Sequence, residues 1–163
     1  MGVFQVVTWD KHPAFRIGEE IVSHPERPTR SAFQFWWSET VRWGDMDALR
    51  HVNNVAYLQY LESARIGFFE AKGWNSVDIG AAGQGPVVVS QTFNYRRQLH
   101  YPAEVEIGVA CTEVRQRSFV LSYGVFRQGT DELIGDGSTV LAWLDYAANK
   151  AIEIPSNVRA FLT

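Results

Sequence analysis

The spacing of apolar residues after position 57 predicts one long amphipathic helix. Leu58, Leu61, Ala64 and Phe68 follow one another at steps of three and four residues, so they share one helical face. Arg65 is the main interruption of this apolar stripe. The pattern therefore predicts a helix that buries one side against the rest of the protein.

Both ends of this helix carry recognisable signals. Asn53 is a favourable N-cap residue, and Val52 before it has the right spacing to pack on Tyr57 as a hydrophobic staple. Gly73 follows Lys72 and is a natural stop, because glycine accepts the left-handed backbone that commonly ends a helix. The predicted helix runs from about Asn53 to Lys72.

Alternating residues predict a sheet of five strands. The first strand lies within Ser31–Val41. The other four follow the helix, and the residues expected to share one face of each are Val87, Val89, Gln91, Phe93 and Tyr95, then Val105, Ile107, Val109 and Cys111, then Phe119, Leu121, Tyr123 and Val125, and finally those of the run Ile134–Leu144. The connections RQRS and RQGTDE are short, so the strands they join should be antiparallel neighbours. One helix against one antiparallel sheet is an α+β fold.

The N-terminal segment has a different character. Residues 1–30 show no clear period, which indicates an extension packed on the domain and partly mobile. This segment holds half of the prolines of the chain, Pro13, Pro25 and Pro28. The folded domain is expected to cover 31–163, with Ser156 capping a short final helix that runs through Phe161.

The composition argues against several classes of function. A chain of 163 residues with 46% hydrophobic and 20% charged residues suits one globular domain. The net charge of -3 gives no electrostatic reason to expect nucleic acid or an anionic membrane as a partner, and no apolar run approaches the roughly 20 residues that cross a bilayer. Cys111 is the only cysteine, so an internal disulfide is impossible. The first residues lack the basic and apolar segments of a secretory signal, and a cytoplasmic location is expected.

A polar cluster stands directly before the helix. It consists of two carboxylates, a histidine and two asparagines, namely Asp45, Asp47, His51, Asn53 and Asn54. Such a cluster is either a turn whose carboxylates bond nearby backbone N–H groups, or a reaction site built on the helix start. The four histidines of the chain are scattered without ligand spacing, so no metal site is predicted.

The stretch VRWGDMDALRHVNNVAYLQYLESAR resembles the signature of hotdog-fold acyl-CoA thioesterases of the 4-hydroxybenzoyl-CoA thioesterase type. The likeness continues through FNYRRQLHYPAEVEI and VLAWLDYAANKAIEIPSNVRAFL and covers about Ser31–Leu162. The resemblance implies a hotdog fold, in which a five-stranded antiparallel sheet wraps around the long helix. It also implies a homodimer whose sheets join edge to edge, or a tetramer of two such dimers, with sites between subunits.

The resemblance also assigns roles to particular residues. In the family, the second aspartate of the motif is the catalytic carboxylate, which is Asp47 here, while Asp45 is expected to be structural. A backbone N–H at the helix start polarises the thioester carbonyl, and seven residues past the aspartate this position is Asn54. Related thioesterases often carry histidine there and glycine three residues after the aspartate, where this chain has Asn54 and Arg50.

The chemistry implied by the resemblance needs no cofactor, because coenzyme A is part of the substrate. An ionised carboxylate either activates water or attacks the thioester, while the helix N-terminus supplies donors for the oxyanion. The residues expected to contact the acyl-CoA substrate are His51, Asn53, Glu62, Arg96 and Arg97. Of these, the two arginines suit the phosphates of coenzyme A.

Two other functions are compatible with the same motif. The departures at Arg50 and Asn54 fit a non-catalytic hotdog module that binds an acyl-CoA or an acyl carrier. A third possibility is hydrolysis of acyl groups from acyl carrier protein. The acyl chain itself cannot be read from the sequence.

Overall fold

The computed structural model describes residues 26–74 and 82–163, together with the backbone of two short paired strands, β1 (Arg16–Ile17) and β2 (Glu20–Ile21). The remainder of the predicted N-terminal extension lies outside the described residues. Its predicted packing and mobility therefore stay predictions.

Five long strands form one antiparallel sheet around a single long helix. The elements after β2 are β3 (Phe35–Thr40), α1 (Asn54–Ala71), β4 (Gln84–Tyr95), β5 (Glu104–Val114), β6 (Ser118–Arg127), β7 (Leu133–Asp145), β8 (Lys150–Ala151) and α2 (Ser156–Leu162). The strand order is β3-β5-β6-β7-β4, with the two-residue strand β8 added to β7. Each pairing in the sheet is antiparallel. This confirms the predicted α+β hotdog fold, to which β8 is an addition.

The core lies between α1 and the inner face of the sheet. Tyr60, Leu61 and Ala64 of the helix are each at most 1% exposed. Ile107 and Leu121 of the central strands belong to the same buried cluster. Because α1 connects β3 and β4, which lie at opposite edges of the sheet, the helix has to cross the inner face.

The ends of α1 follow the predicted signals. The Asn53 side chain accepts a hydrogen bond from the Val55 N–H at 2.8 Å, so it caps the helix. Gly73, with a φ of +81°, adopts the left-handed conformation just past the last turn. The helix predicted from about 53 to 72 is observed at 54–71.

The first strand of the sheet starts later than predicted. The prediction places it within Ser31–Val41, but Arg30–Ala32 forms a 3-10 turn before β3 begins. Phe33 then lies over Gly108 and Gly124, where a Cβ on either glycine would come within 2.6 Å of the Phe33 ring. These glycines belong to β5 and β6, so they make room for an aromatic side chain on the sheet face opposite the main core.

The single-face pattern predicted for β4 is wrong in its first half. The prediction puts Val87 and Val89 on the same face as Phe93. The register against β7 shifts directly after Val88, which is a β-bulge. Val88 lies opposite the buried Leu141 and faces inward, so Val87 faces outward. Alternation does not reveal the extra residue, because the run VVVS fits either register.

The final helix is present, but Ser156 does not cap it. Ser156 is the first helical residue, and Pro155 occupies the N-cap position with no side-chain hydrogen bond. The helix starts one residue earlier than predicted because Pro155, with a ψ of 144°, already ends the extended chain. The buried Val158 and Leu162 dock α2 on the main core.

Gly67 is a point of close approach between α1 and β3. A Cβ at this position would lie 2.5 Å from the Trp37 ring. Gly67→Ala should lower the free energy of unfolding by about 1–2 kcal/mol, because overpacking outweighs the better helix propensity of alanine. Urea unfolding measures the change. Gly44→Ala is the control, since a Cβ on Gly44 meets no atom within 4 Å. Equal losses in the two variants would contradict the close contact.

Candidate active site

The loop between β3 and α1 folds back on the start of the helix. The Val52 N–H donates to the Leu99 carbonyl oxygen at 2.8 Å, and the Asn53 N–H donates to the Asp45 carbonyl oxygen at 2.9 Å. Met46 and Val52 also form an isolated antiparallel bridge. These contacts hold both aspartates of the motif in a loop that closes on the first residues of α1.

Asp45 has a structural role in this loop. Its Oδ2 atom accepts hydrogen bonds from the Tyr60 hydroxyl at 2.6 Å and from the Arg42 N–H at 2.8 Å. Burial raises the pKa of Asp45, but these hydrogen bonds outweigh it, so the pKa lies below its usual value. Burial and the bond to Asp45 raise the pKa of Tyr60, which keeps the phenol protonated. The turn interpretation therefore holds for Asp45.

Tyr60→Phe should lower the free energy of unfolding by about 1.5–3 kcal/mol at neutral pH, because it removes a hydrogen bond to a charged group. A carboxylate with a lowered folded pKa stabilises the protein above its unfolded pKa, here 3.8, and that contribution disappears as pH falls through the folded pKa. The effect of Tyr60→Phe should therefore shrink below about pH 4. Urea unfolding of both proteins across this range is the measurement. An effect that stays constant with pH would contradict the role of the Asp45 charge.

Asp47 has one oxygen committed to the loop and one directed toward His51. Its Oδ1 atom accepts a hydrogen bond from the Leu49 N–H at 2.8 Å. Its Oδ2 atom lies 3.7 Å from the Nδ1 atom of His51, and the Asp47 side chain is 24% exposed. Asp47 is thus partly a turn residue, and it retains one oxygen for contact with water or substrate.

Arg50 makes the turn between these two residues. Its φ is +70°, a left-handed conformation that glycine adopts without strain. The Arg50 N–H donates to the Asp47 carbonyl oxygen at 3.0 Å. The Arg50 carbonyl oxygen lies 2.8 Å from the Nδ1 atom of His100, which donates when protonated there. The backbone geometry that suits glycine at this position is therefore formed here with an arginine.

The first turn of α1 presents an N–H group toward solvent. The Asn53 side-chain oxygen accepts a hydrogen bond from the Val55 N–H, and the Asn53 carbonyl oxygen accepts one from the Ala56 N–H. Among the residues that the structure describes, the Asn54 N–H has no acceptor, and Asn54 is exposed. The Tyr95 hydroxyl reaches the Asn54 carbonyl oxygen at 3.5 Å. An open N–H at the positive end of an 18-residue helix suits an oxyanion.

The other residues predicted to contact substrate divide into two places. His51 and Asn53 flank the helix start, next to Asp47 and Asn54. Glu62 lies two turns further along α1, where its side chain is 68% exposed and its Oε1 atom lies 3.7 Å from the Arg65 guanidinium. The structure therefore brings His51 to Asp47, places Asn53 at the cap of the helix, and leaves Glu62 at a separate position on α1.

Arg96 and Arg97 follow the end of β4 and differ in their surroundings. The Arg96 side chain is 3% exposed, and its Nε atom bonds Asp136 at 2.5 Å, which gives it a structural role. The Arg97 side chain is 37% exposed, and its Nε atom lies 3.6 Å from Glu132. Arg97 also lines a surface cleft of about 510 Å³. Of the two arginines predicted to contact phosphate, Arg97 is the one whose side chain is accessible to a ligand.

Metal-binding clusters and membrane-spanning helices are both absent from residues 26–74 and 82–163. In this part of the chain, no three His, Cys, Asp or Glu side chains form a group able to hold a metal ion. None of its helices has the length and apolar character needed to span a membrane.

Sequence reasoning missed the residues that fix the loop from a distance. Tyr60 holds Asp45, Leu99 holds Val52, and His100 holds the Arg50 carbonyl oxygen. By its spacing in the sequence, His100 is only one of four scattered histidines. The signal available was the stretch FNYRRQLHYPAEVEI, which carries part of the resemblance but does not reveal which loop atoms it meets.

Comparison with known proteins identifies the family of the chain. A family profile described as the thioesterase-like superfamily matches residues 41–162. The chain belongs to the thioesterase-like superfamily. This thioesterase is 25% identical over 126 residues to the long-chain acyl-CoA thioesterase FadM of Escherichia coli, which covers 73% of the chain and 89% of FadM. It is 28% identical over 132 residues to YsmA of Bacillus subtilis, over 80% of the chain and 86% of YsmA.

A solved structure supports the same assignment. The structure of the PA2801 protein of Pseudomonas aeruginosa superposes on this chain with a TM-score of 0.71 and 33% sequence identity. The match covers 78% of this chain and 97% of PA2801. The protein is therefore a thioester hydrolase with a hotdog fold. The narrower resemblance to the 4-hydroxybenzoyl-CoA thioesterase type stays a prediction, as do the roles of Asp47 and Asn54.

Proposed function

We propose that this thioesterase hydrolyses acyl-CoA thioesters, with Asp47 as general base or nucleophile and the Asn54 N–H as the oxyanion donor. The relative FadM, named as an acyl-CoA thioesterase, supports coenzyme A as the carrier. One observation carries the proposal: an N–H without an acceptor among the described residues stands at the start of α1, next to the loop that holds Asp47.

In the general-base route, a water molecule lies between Asp47 and the carbonyl carbon of the thioester. Asp47 takes a proton from the water, the resulting hydroxide bonds the carbon, and the carbonyl electrons move to the oxygen held by Asn54. The oxyanion then collapses, the C–S bond breaks, and the coenzyme A thiolate takes the proton back from Asp47. A base of this kind contributes about 10²–10⁴ to the rate, and one oxyanion donor about 10²–10³.

In the nucleophilic route, an Asp47 oxygen bonds the carbonyl carbon and expels the thiolate. The resulting acyl–aspartyl anhydride is then cleaved by water, which regenerates the carboxylate. Both routes need an ionised Asp47 and the same oxyanion donor. His51, whose Nδ1 atom is 3.7 Å from Asp47, is a positioning residue in either route.

Contacts with coenzyme A are assigned by exposure and charge. Arg97 is the candidate for a phosphate group, since guanidinium groups bind phosphate oxygens well and its side chain is accessible. Asn53 serves mainly as the helix cap that keeps the Asn54 N–H in place. Glu62, exposed on the same helix, is assigned to the rim of the substrate site.

A second copy of the chain is proposed to complete the site by pairing along β4. This strand ends the strand order, so its outer edge pairs with no strand of the described sheet. Val87, Val88 and Val89 are 37%, 40% and 58% exposed. An exposed apolar edge strand is a template for pairing with another chain.

Val89→Lys should therefore convert a dimer, or a tetramer built from dimers, toward smaller species, because a charge at the edge opposes strand pairing. Light scattering after size-exclusion chromatography measures the mass. Gln128→Lys, an exposed change in the turn between β6 and β7, is the control. A monomeric wild type, or a Val89→Lys mass equal to that of the wild type, would contradict pairing along β4.

The proposed function is tested by presenting the same acyl groups on two carriers. We expect thiol release from a panel of acyl-CoAs, with slower release from the same acyl groups on acyl carrier protein. Faster release from the protein carrier would instead favour an acyl-carrier thioesterase. Tight binding of acyl-CoAs without any thiol release would favour a non-catalytic binding module.

A further inference from the structure

Arg65 is a buried cation on the sheet-facing side of α1. The residue is 6% exposed. One terminal nitrogen of its guanidinium lies 3.5 Å from the Tyr123 hydroxyl, and the other lies 3.7 Å from the exposed Glu62 carboxylate. Both distances are at or beyond the long end of the hydrogen-bond range. A buried charge normally requires close, well-oriented partners, so this arrangement leaves the guanidinium weakly compensated.

Two polar groups on the inner face of the sheet are buried and poorly satisfied. The Gln91 amide nitrogen is buried and has no partner among the residues that the structure describes. The Thr139 hydroxyl, also buried, makes no close hydrogen bond among these residues, but it interacts with the Tyr123 hydroxyl and lowers the pKa of that phenol. The two residues lie directly opposite each other on β4 and β7, so their side chains share one face of the sheet. Buried polar groups are satisfied in the great majority of cases, and each exception needs an explanation.

Tyr123 joins these groups into one cluster. It lies on β6, opposite Gly137 of β7, which is two residues from Thr139 and on the same face. Burial raises the pKa of Tyr123, and the neighbouring Arg65 and Thr139 offset part of that rise. The phenol is therefore neutral at physiological pH, and the charges of the cluster, as far as the structure describes it, are Arg65 and the exposed Glu62. The guanidinium and the Gln91 amide nitrogen are donors only. The acceptors beside the guanidinium are the neutral Tyr123 hydroxyl at 3.5 Å and the exposed Glu62 carboxylate at 3.7 Å.

The inner face of β4 connects the cluster to the helix start. The Tyr95 hydroxyl reaches the Asn54 carbonyl oxygen, and Tyr95, Phe93 and Gln91 follow one another on this face. The Tyr57 ring of α1 packs on Phe93 and Tyr95, with ring centroids 5.2 and 5.4 Å apart. The four residue steps from Tyr95 to Gln91 span about 13 Å along the strand. Aromatic rings therefore lie along the inner face of β4 between Asn54 and the polar groups.

We propose that the thioesterase recognises acyl groups that end in a carboxylate, with Arg65 as the counter-ion and Gln91 and Thr139 as hydrogen-bond donors. This substrate class rests on the proposed function for the position of the thioester at Asn54. A ligand carboxylate supplies charged acceptor oxygens close to the guanidinium, where the protein itself offers only the neutral Tyr123 hydroxyl and the exposed Glu62 carboxylate at 3.7 Å. The path along β4 matches an extended acyl group of roughly ten carbon atoms, at about 1.3 Å per bond.

The test compares two ligands that differ only at the chain end. These are the non-hydrolysable thioether analogues of decanoyl-CoA and decanedioyl-CoA, in which a methylene group separates sulfur from the carbonyl carbon. Calorimetry on the wild type should show tighter binding of the carboxylate-ended analogue. Arg65→Met should reduce this preference by about 10- to 100-fold, the loss expected for hydrogen bonds to a charged group. Equal dissociation constants for the two analogues would overturn the inference.

Thr139→Val separates recognition from support of the fold. If the hydroxyl awaits a ligand, removing it from the free protein should raise Tm by about 2–4 °C, because an unsatisfied buried group is lost. The same variant should lower the preference for the carboxylate-ended analogue. A lower Tm with an unchanged preference would mean that the Tyr123 hydroxyl or an ordered water satisfies the Thr139 hydroxyl, and would overturn its assigned role.

The two proposals fail in different ways. Binding is measured without turnover, so a preference for the carboxylate end is detected even if no thioester is hydrolysed. Turnover of decanoyl-CoA with no preference in binding would keep the proposed function and overturn this inference. A clear preference for the carboxylate-ended analogue, with no thiol released from decanoyl-CoA or decanedioyl-CoA, would keep this inference and overturn the proposed function.

Discussion

Asp47→Asn is expected to reduce kcat for acyl-CoA hydrolysis by about 10²–10⁴-fold. The amide retains an oxygen for the bond from the Leu49 N–H, but it neither accepts a proton from water nor attacks a carbonyl carbon. The loop should therefore keep its conformation while the reaction slows. Thiol release from a panel of acyl-CoAs, followed under saturating substrate, measures the loss.

Asp145→Asn is a closely matched control. Asp145 also accepts a hydrogen bond from a backbone N–H in a turn, that of Ala148 at 2.9 Å, but it stands at the end of β7, away from the motif. Its replacement should leave kcat within about twofold of the wild type, as expected for a change outside the site. If Asp47→Asn is as fast as the wild type, Asp47 is not the catalytic group in either route.

Asn54→Pro is expected to reduce kcat by about 10²–10³-fold, the loss typical of one oxyanion donor. Asn54 is the first residue of α1, a position that tolerates proline because its N–H makes no helical hydrogen bond. The preceding Asn53 has φ -60° and ψ 143°, within the extended region preferred before proline. The substitution therefore removes the N–H with little cost to the helix.

Asn54→Ala isolates the backbone from the side chain. It removes the side-chain carboxamide of Asn54 and keeps the backbone N–H, so kcat should stay close to that of the wild type. Circular dichroism and thermal unfolding of both variants establish that α1 is intact. Equal activity of the proline and alanine variants would exclude the Asn54 N–H as the oxyanion donor.

The long helix and its ends were predictable because their signals are local. The Asn53 cap, the Gly73 stop and the spacing of buried residues act within a few positions of the chain. The bulge after Val88 was not predictable from the sequence, because the register of β4 depends on which residues of β7 lie opposite it. The position of Phe33 before β3 was not predictable either, because its ring packs over Gly108 and Gly124, which are distant in the sequence.

Only the site residues that lie within the one sequence motif were predictable. Asp47, His51 and Asn54 lie within a few residues of one another, so their closeness in space follows from their closeness along the chain. The bonds from Tyr60 to Asp45 and from Val52 to Leu99 join positions separated by 15 and 47 residues, and no periodicity indicates them. These distant contacts shape the loop in which the motif stands.

Arg65 shows the opposite limit of pattern analysis. In the helical stripe it appears as an interruption, which surface pairing with Glu62 would explain. The structure contains this ion pair at 3.7 Å, but it also buries the Arg65 side chain beside Tyr123. A charged residue on the apolar face of a helix is therefore informative, but its meaning depends on strands that the helical period does not describe.

The assignment of the oxyanion site is tested most directly by a crystal structure of Asp47→Asn with an intact acyl-CoA bound. The thioester oxygen should lie about 2.7–3.1 Å from the Asn54 nitrogen, with the carbonyl carbon facing the side chain at position 47 or a water held by it. A thioester bound away from the start of α1, with the Asn54 N–H left to solvent, would contradict the assignment.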